Sequence, residues 1–262
     1  MGTIVSFHAH PDDEAIASGG TLARAAAAGH RVVLVFATRG ELGEPVPGVL
    51  EPGEQLAMRR SAECYTSAAA LGAKRVEFLG FTDSGMMGEP SNDAPFCFWQ
   101  ADVEYAARTL AVLLDQEEPD VLTIYDDNGV YGHPDHIQVH RVGKRAGELS
   151  AVPVVAQGTV NRDWMQRGFR ESGREGDIPP NMGKPESEIT HRVRVGRHLR
   201  AKRTAMAAHG TQRRADGQVR VLDRIVRLPL PLFALAFGRE WYIEQGPAGG
   251  RHDDVFATLP PR

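Results

Sequence analysis

Thr3-Ile4-Val5-Ser6-Phe7-His8-Ala9-His10-Pro11-Asp12-Asp13-Glu14 is the stretch whose reading decides the fold. Its first seven residues are rich in β-formers. An Ala-rich segment over 13–28 follows at once and reads as a helix, with Gly29 where a helix C-terminus favours glycine. The next run, Arg31-Val32-Val33-Leu34-Val35-Phe36-Ala37, is almost continuously apolar, the mark of a strand covered on both faces. Outward from there the alternation persists. A helix over about 54–71 stops at Gly72, a short strand covers 75–79, and a helix over about 100–116 leads to a strand at 120–125. A helix over about 134–147 and a Val-rich strand at 152–156 complete the series. This rhythm predicts an α/β fold: a Rossmann-like, mostly parallel sheet of order 3-2-1-4-5 with helices on both faces.

The remainder is less regular. Residues 162–188 read as a surface excursion with the character of a lid, and 195–208 as another helix. Pro229 and Pro231 interrupt an apolar stretch, which is therefore expected as an edge strand or loop, and the tail from Gly246 is expected to be mobile. No linker divides the chain, so one domain is expected over 1–262, with a core at 3–158 and strand and helix additions at 159–245.

Composition narrows the function. With 30 Lys+Arg against 34 Asp+Glu the formal charge is -4, which argues against a broad basic surface for nucleic acid. The 42% of hydrophobic residues in 262 is ordinary globular composition, enough for a core without disulfide staples. Cys64 and Cys97 are the only cysteines, so neither a disulfide framework nor a Cys-based zinc module is expected, and a reduced, cytoplasmic setting fits. No run of about 18 apolar residues exists to span a membrane.

Of the ten histidines, several crowd into two short segments, His8 to Glu14 and Tyr131-Gly132-His133-Pro134-Asp135-His136. Each stands where a strand gives way to a helix. In a sheet of order 3-2-1-4-5 the first and fourth strands are neighbours at the topological switch, where ligands bind outside the carboxyl ends of the strands. The two segments are thereby expected to face each other. A His/Asp cluster without cysteine suits zinc, with iron or cobalt as substitutes. His10 and Asp13 have an i, i+3 spacing that lets both reach one ion, and His136 would supply a third ligand from across the crevice. Asp12 and His133 are then left as acid–base groups beside the metal.

Blander readings stand beside these. A single Asp at a helix start is usually an N-cap, which would explain Asp13 or Asp135 taken alone. His8, on a buried strand, reads as a packed, hydrogen-bonded residue, and His140 as packed or solvent-facing. Cys64 falls in a helical pattern and reads as core. Gly19 and Gly20 do not form a dinucleotide-binding glycine turn, and no serine has a nucleophile-elbow context. Two independent N-caps would not both need flanking histidines, and this favours a site.

At these residues the sequence resembles the PIG-L/LmbE-like zinc de-N-acetylases, whose paired segments match Ala9 to Glu14 and Gly132 to His136. The similarity extends through Arg60-Ser61-Ala62-Glu63, Asp83-Ser84-Gly85-Met86 and Phe98-Trp99-Gln100, covering roughly 3–145. The wording around Asp83 and Tyr131 resembles the mycothiol-pathway branch. The resemblance implies His10, Asp13 and His136 as metal ligands, Asp12 as general base, and His133 as general acid or oxyanion stabiliser. It implies that Asp135 orients a histidine, that Tyr131 polarises the carbonyl, and that Arg60 and Asp83 bind substrate hydroxyls. His209 is implied as pocket wall, with a packed or surface histidine as its alternative. The expected substrate is a small amino-sugar conjugate, N-acetylglucosaminyl-inositol-like, with no nucleic-acid or membrane partner; a homo-oligomer is compatible with this reading. The alternatives are an amidase acting on a thiol conjugate, a deacetylase of a secondary-metabolite glycoside, and a carbohydrate-binding module without catalysis. Loops at 41–53, 86–96 and 162–188 are expected to decide among the enzymes.

Overall fold

The structure, a computed structural model, describes residues 1–45, 48–171, 173, 181–212, 214–215, 218–219, 221–245 and 251–260. Strands β1 (Thr3–His8), β2 (Arg31–Phe36), β3 (Arg75–Phe78), β4 (Val121–Tyr125), β5 (Val154–Thr159), β6 (His191–Arg194) and β7 (Arg239–Glu244) form one sheet of order β3-β2-β1-β4-β5-β7-β6. The first five are parallel to one another, and β7 runs antiparallel to both β5 and β6. The expected order of the five parallel strands is the observed one.

Burial on both faces explains the unbroken apolar run of β2. Val32, Leu34 and Phe36 join one core layer with Leu22, Leu71, Met206 and Tyr242, while Val33 and Val35 join the other with Leu110, Leu122, Ile124 and Val142. Helices α1 (Gly19–Ala27) and α2 (Leu56–Leu71) pack on the first layer; α3 (Val103–Glu117) and α4 (Pro134–Leu149) pack on the second. The helix expected over 13–28 is not uniform. One wide π turn at Glu14–Ser18 precedes α1, a local expansion frequent at functional sites.

In the second half one expectation gains detail and two are corrected. The excursion from 162 opens with a helix, α5 (Arg162–Glu171), while residues 172 and 174–180 lie outside the described residues. The segment around Pro229 and Pro231 is neither edge strand nor loop. Pro229 is the N-cap and Pro231 lies in the first turn of a helix (Leu230–Phe237), where a missing N–H costs nothing. In the tail, 246–250 and 261–262 lie outside the described residues, but 251–260 pack back on the sheet: His252 bridges to His191, Val255 is buried and Phe256 stacks on His30. The helix expected at 195–208 is α6 (Leu199–Ala208) after one 3-10 turn.

Polar ties anchor these additions to the first layer. Glu240 on β7 accepts the backbone N–H groups of Gly20 and Thr21 at 2.8 and 2.7 Å, and Lys202 of α6 approaches the same carboxylate at 2.6 Å. Glu63 of α2 accepts from the Thr211 amide and hydroxyl at 2.8 and 2.6 Å. Among the described residues no helix is long and apolar enough to cross a membrane.

Candidate active site and metal centre

The turn after β1 and the turn before α4 meet at the carboxyl ends of neighbouring strands, as the topology requires. The His10 and His133 rings are 4.7 Å apart and those of His10 and His136 are 5.5 Å apart. Asp13 stands between two histidines: its Oδ2 is 3.5 Å from His10 Nδ1 and 3.4 Å from His136 Nε2. Bonds of about 2.0–2.2 Å in a tetrahedral site put donor atoms roughly 3.3–3.5 Å apart, so both contacts of Asp13 have the spacing of metal ligands. Both ring nitrogens of His136 are buried without a hydrogen-bond partner, a costly state that a metal bond would relieve. The far nitrogen of His10, Nε2, faces Asp135 Oδ2 at 3.0 Å, the carboxylate support that orients a metal-bound imidazole.

Donor atoms of His10, His133 and His136, and separately of His10, Asp83 and Asp135, also lie within 4.8 Å of one another. Hydrogen bonds already engage members of every set. His133 Nδ1 already accepts the Asp135 N–H at 3.2 Å, and Asp135 is spent on the Ser84 amide, the Ser84 hydroxyl and His10. Asp13 Oδ2 likewise accepts the His10 N–H at 2.9 Å, and His10, Asp13 and His136 stand as a candidate ligand set beside those two.

The backbone at Asp12 is strained, with φ 110. Glu14 holds it there: its Oε2 accepts the Asp12 N–H at 2.9 Å, and its Oε1 takes His209 Nε2 at 2.7 Å and the Ser67 hydroxyl. Nearby Val130 is a second strained residue (φ 68), fixed by Asp126 Oδ1 at its N–H and by the Gly183 N–H at its carbonyl. Gly129 before it has φ 60, and a Cβ there would lie 2.5 Å from the Cβ of His136, so only glycine permits this approach to α4.

Burial pushes the Asp12 carboxyl up to about 6, only partly offset by the Arg60 guanidinium 3.5 Å away. His10 is buried, which opposes its charge, yet hydrogen bonds with Asp13, Asp135 and Asp83 hold it well above the usual histidine range. His133 is pushed down to about 4 by burial and by His10 and His136. Burial also raises the Tyr131 phenol, which keeps it a donor.

A cavity of about 630 Å³ opens on this cluster. His10, Asp12, Asp13, Tyr131 and His133 reach it from the two histidine segments, and Arg60 and Asp83 from the facing wall. Arg60 is also tied inward, to the Gly40 carbonyl at 3.0 Å and to the Pro11 carbonyl. The expected pocket-wall role of His209 is corrected: it is fully buried behind Asp12, paired with Glu14, because a carboxylate deep in the first layer needs a partner there. His8 is a packed residue, bonded to Ser6 and Tyr125 at 2.7 and 2.9 Å and pushed down to about 4 by burial. His140 contacts the Tyr125 carbonyl at 3.0 Å, and Cys64 is core.

Glu14, Ser84 and Tyr125 belong to the site without having been sequence candidates. The Tyr125 ring stacks on His136 at 4.5 Å. Glu14 had one signal, its place at the end of the Ala9 to Glu14 segment. Ser84 had only its place in the Asp83 to Met86 segment, and Tyr125 had none, since its partner His136 lies on another element.

Comparison with known proteins bears on these residues. The family described as "PIG-L: GlcNAc-PI de-N-acetylase" matches residues 5–147. A relative from Thermomonospora curvata, named 1D-myo-inositol 2-acetamido-2-deoxy-alpha-D-glucopyranoside deacetylase, is 39% identical over 98% of this chain and 97% of its own. One of the same name from Acidothermus cellulolyticus is 38% identical over 98% and 95%. The solved N,N'-diacetylchitobiose deacetylase of Pyrococcus horikoshii superposes with a TM-score of 0.57 at 20% identity, over 93% of this chain and 84% of that one, which speaks to the fold. With the matched region spanning over half the chain and containing both histidine segments, this chain belongs to the PIG-L GlcNAc-PI de-N-acetylase family.

Proposed function

We propose that the protein is a metal-dependent N-deacetylase, with zinc as the metal, acting in a cytoplasmic setting on an N-acetylglucosaminyl-inositol-like substrate. The observation that carries this reading is the placement of Asp12: a carboxyl raised to about 6, on a constrained backbone, beside the His10–Asp13–His136 set and facing a polar cavity. The names of the full-length relatives support the substrate.

A divalent cation held by His10, Asp13 and His136 would supply Lewis acidity to the amide carbonyl and acidity to a water. Asp12 takes the proton of the attacking water and delivers it to the leaving nitrogen, so a carboxyl near 6 serves as base and then acid at neutral pH. His133 is best placed as a donor. Its Nδ1 accepts the Asp135 N–H, so the neutral ring carries its proton on Nε2. That proton, with the Tyr131 hydroxyl, stabilises the developing oxyanion, a contribution of about 10²–10³-fold per donor. Asp135 fixes the ring of His10. Arg60 positions Asp12, and Asp83 offers carboxylate oxygens to substrate hydroxyls.

The test is free-amine release from N-acetylglucosaminyl-inositol by zinc-loaded protein, beside Asp12→Ala. The variant should keep its metal and lose about 10²–10⁴-fold in turnover. Near-normal turnover by the metal-loaded variant would remove Asp12 from the mechanism. A zinc-loaded wild type silent on this substrate would refute the substrate assignment.

A further inference from the structure

A second cavity, of about 300 Å³, shares Asp13, Ile16 and Tyr131 with the polar one and takes in His136. The reacting centre therefore sits where two spaces of different character join. The walls of this second space are mainly apolar, with Ile16, Val130, Trp164, Met165, Phe237 and Trp241 beside Thr159 and Arg239, and the two indoles are 5.3 Å apart. Its buried charges, Lys202 and Glu240, are paired with each other at 2.6 Å and are 1% and 3% exposed. Water is poorly held among such groups, since it needs two or more polar partners. An acetyl group, with its single methyl, leaves most of this volume unused.

We propose that this cavity is an acyl pocket, and that the protein binds and hydrolyses amides carrying linear aliphatic acyl groups of several carbons. The proposal rests on the N-deacetylase reading for its chemistry and on the cavity for its specificity. In the reaction R–NH–CO–R′ + H₂O → R–NH₂ + R′–COOH, the water oxygen bonds to the carbonyl carbon. The C–N bond then breaks with its electron pair on nitrogen, and nitrogen takes the proton held by Asp12. The amine R lies in the polar cavity beside Arg60 and Asp83; the chain R′ runs past Tyr131 and His136 toward Trp164 and Trp241.

Two measurements on zinc-loaded protein test this. Indole fluorescence, titrated with acetate, butyrate, hexanoate and octanoate, reads the site without turnover. Binding should tighten about fourfold per methylene, and Trp241→Phe should remove most of the signal. Amine release from the N-acetyl, N-butyryl and N-hexanoyl amides of glucosaminyl-inositol reads specificity. kcat/KM should rise with chain length, and Ala236→Phe, at the exposed rim of the cavity, should lower the hexanoyl-to-acetyl ratio at least tenfold. Hydrolysis of the acetyl amide with chain-independent binding and no gain on the longer amides overturns the acyl pocket and leaves the deacetylase standing. Chain-dependent binding with no amine released from any substrate upholds the apolar-chain site and overturns the reaction assigned to it.

Discussion

Replacing Glu14 with glutamine tests whether a fully buried carboxylate outside the reacting groups holds Asp12 in place. Glu14 is 0% exposed, with contacts to the Asp12 N–H, His209 and the Ser67 hydroxyl. The amide keeps a neutral acceptor for Asp12 but loses its charge opposite His209. A hydrogen bond to a charged group contributes about 1.5–3 kcal/mol, so a loss of about 2–3 kcal/mol is expected. At about 2–4 °C per kcal/mol for a chain near this size, the melting temperature should fall by roughly 4–12 °C. The Asp12 backbone, at φ 110, should then relax, and misplacement near 1 Å costs about 10²-fold in turnover. The pH profile separates this from a general loss of packing. Burial favours the neutral acid at Glu14, but the charge and hydrogen bond of His209 hold it below its ordinary 4.5; this contribution is present above 4.5 and fades as pH falls through the folded value. Burial opposes the charge of His209, but Glu14 raises it above 6.5; this contribution is complete below 6.5 and fades as pH rises through the folded value. The stability gap between wild type and Glu14→Gln, measured by denaturant unfolding of chelator-stripped protein, should be widest between 4.5 and 6.5. A gap independent of pH, or unchanged turnover at full metal occupancy, refutes the role.

Other consequences follow from the same geometry. Gly129→Ala should displace His136 and weaken metal binding at least tenfold by competition with a chelator, because the new Cβ would fall 2.5 Å from that of His136; unchanged affinity would show that the turn yields without moving the ligand. The carboxylates around His10 favour its protonated form, so metal uptake should release a proton and weaken about tenfold per unit of falling pH. Calorimetry in buffers of different ionisation enthalpy counts that proton, and zero release would place His10 outside the ligand set.

Much of this molecule was legible because its causes are local. Val32 to Phe36 declared a doubly covered strand, and the strand-to-helix junctions at His10 and His136 met because the order of five parallel strands follows from right-handed crossovers. What escaped was set by distant partners. Glu240 accepts from Gly20 and Thr21, more than two hundred positions away, and nothing near Glu240 announces it. Pro229 and Pro231 do not by themselves distinguish an interrupted strand from a helix start, because proline breaks a strand and starts a helix with equal ease. For His209 the resemblance implies the pocket wall and the residue alone a packed histidine; the packed reading holds, because its carboxylate partner Glu14 lies 195 positions away.

The position of β7 has a consequence for synthesis. The strand at Arg239–Glu244 is inserted between β5 and β6, so β6 has no strand to pair with until β7 arrives. Until residue 244 leaves the ribosome, the nascent chain carries an open edge along β5, and the start of α1 lacks the carboxylate of Glu240. The turn from His10 to Asp13 would thus be among the first parts translated and among the last made rigid, and a chain stalled in its final fifth would bear both histidine segments with no settled frame to hold them.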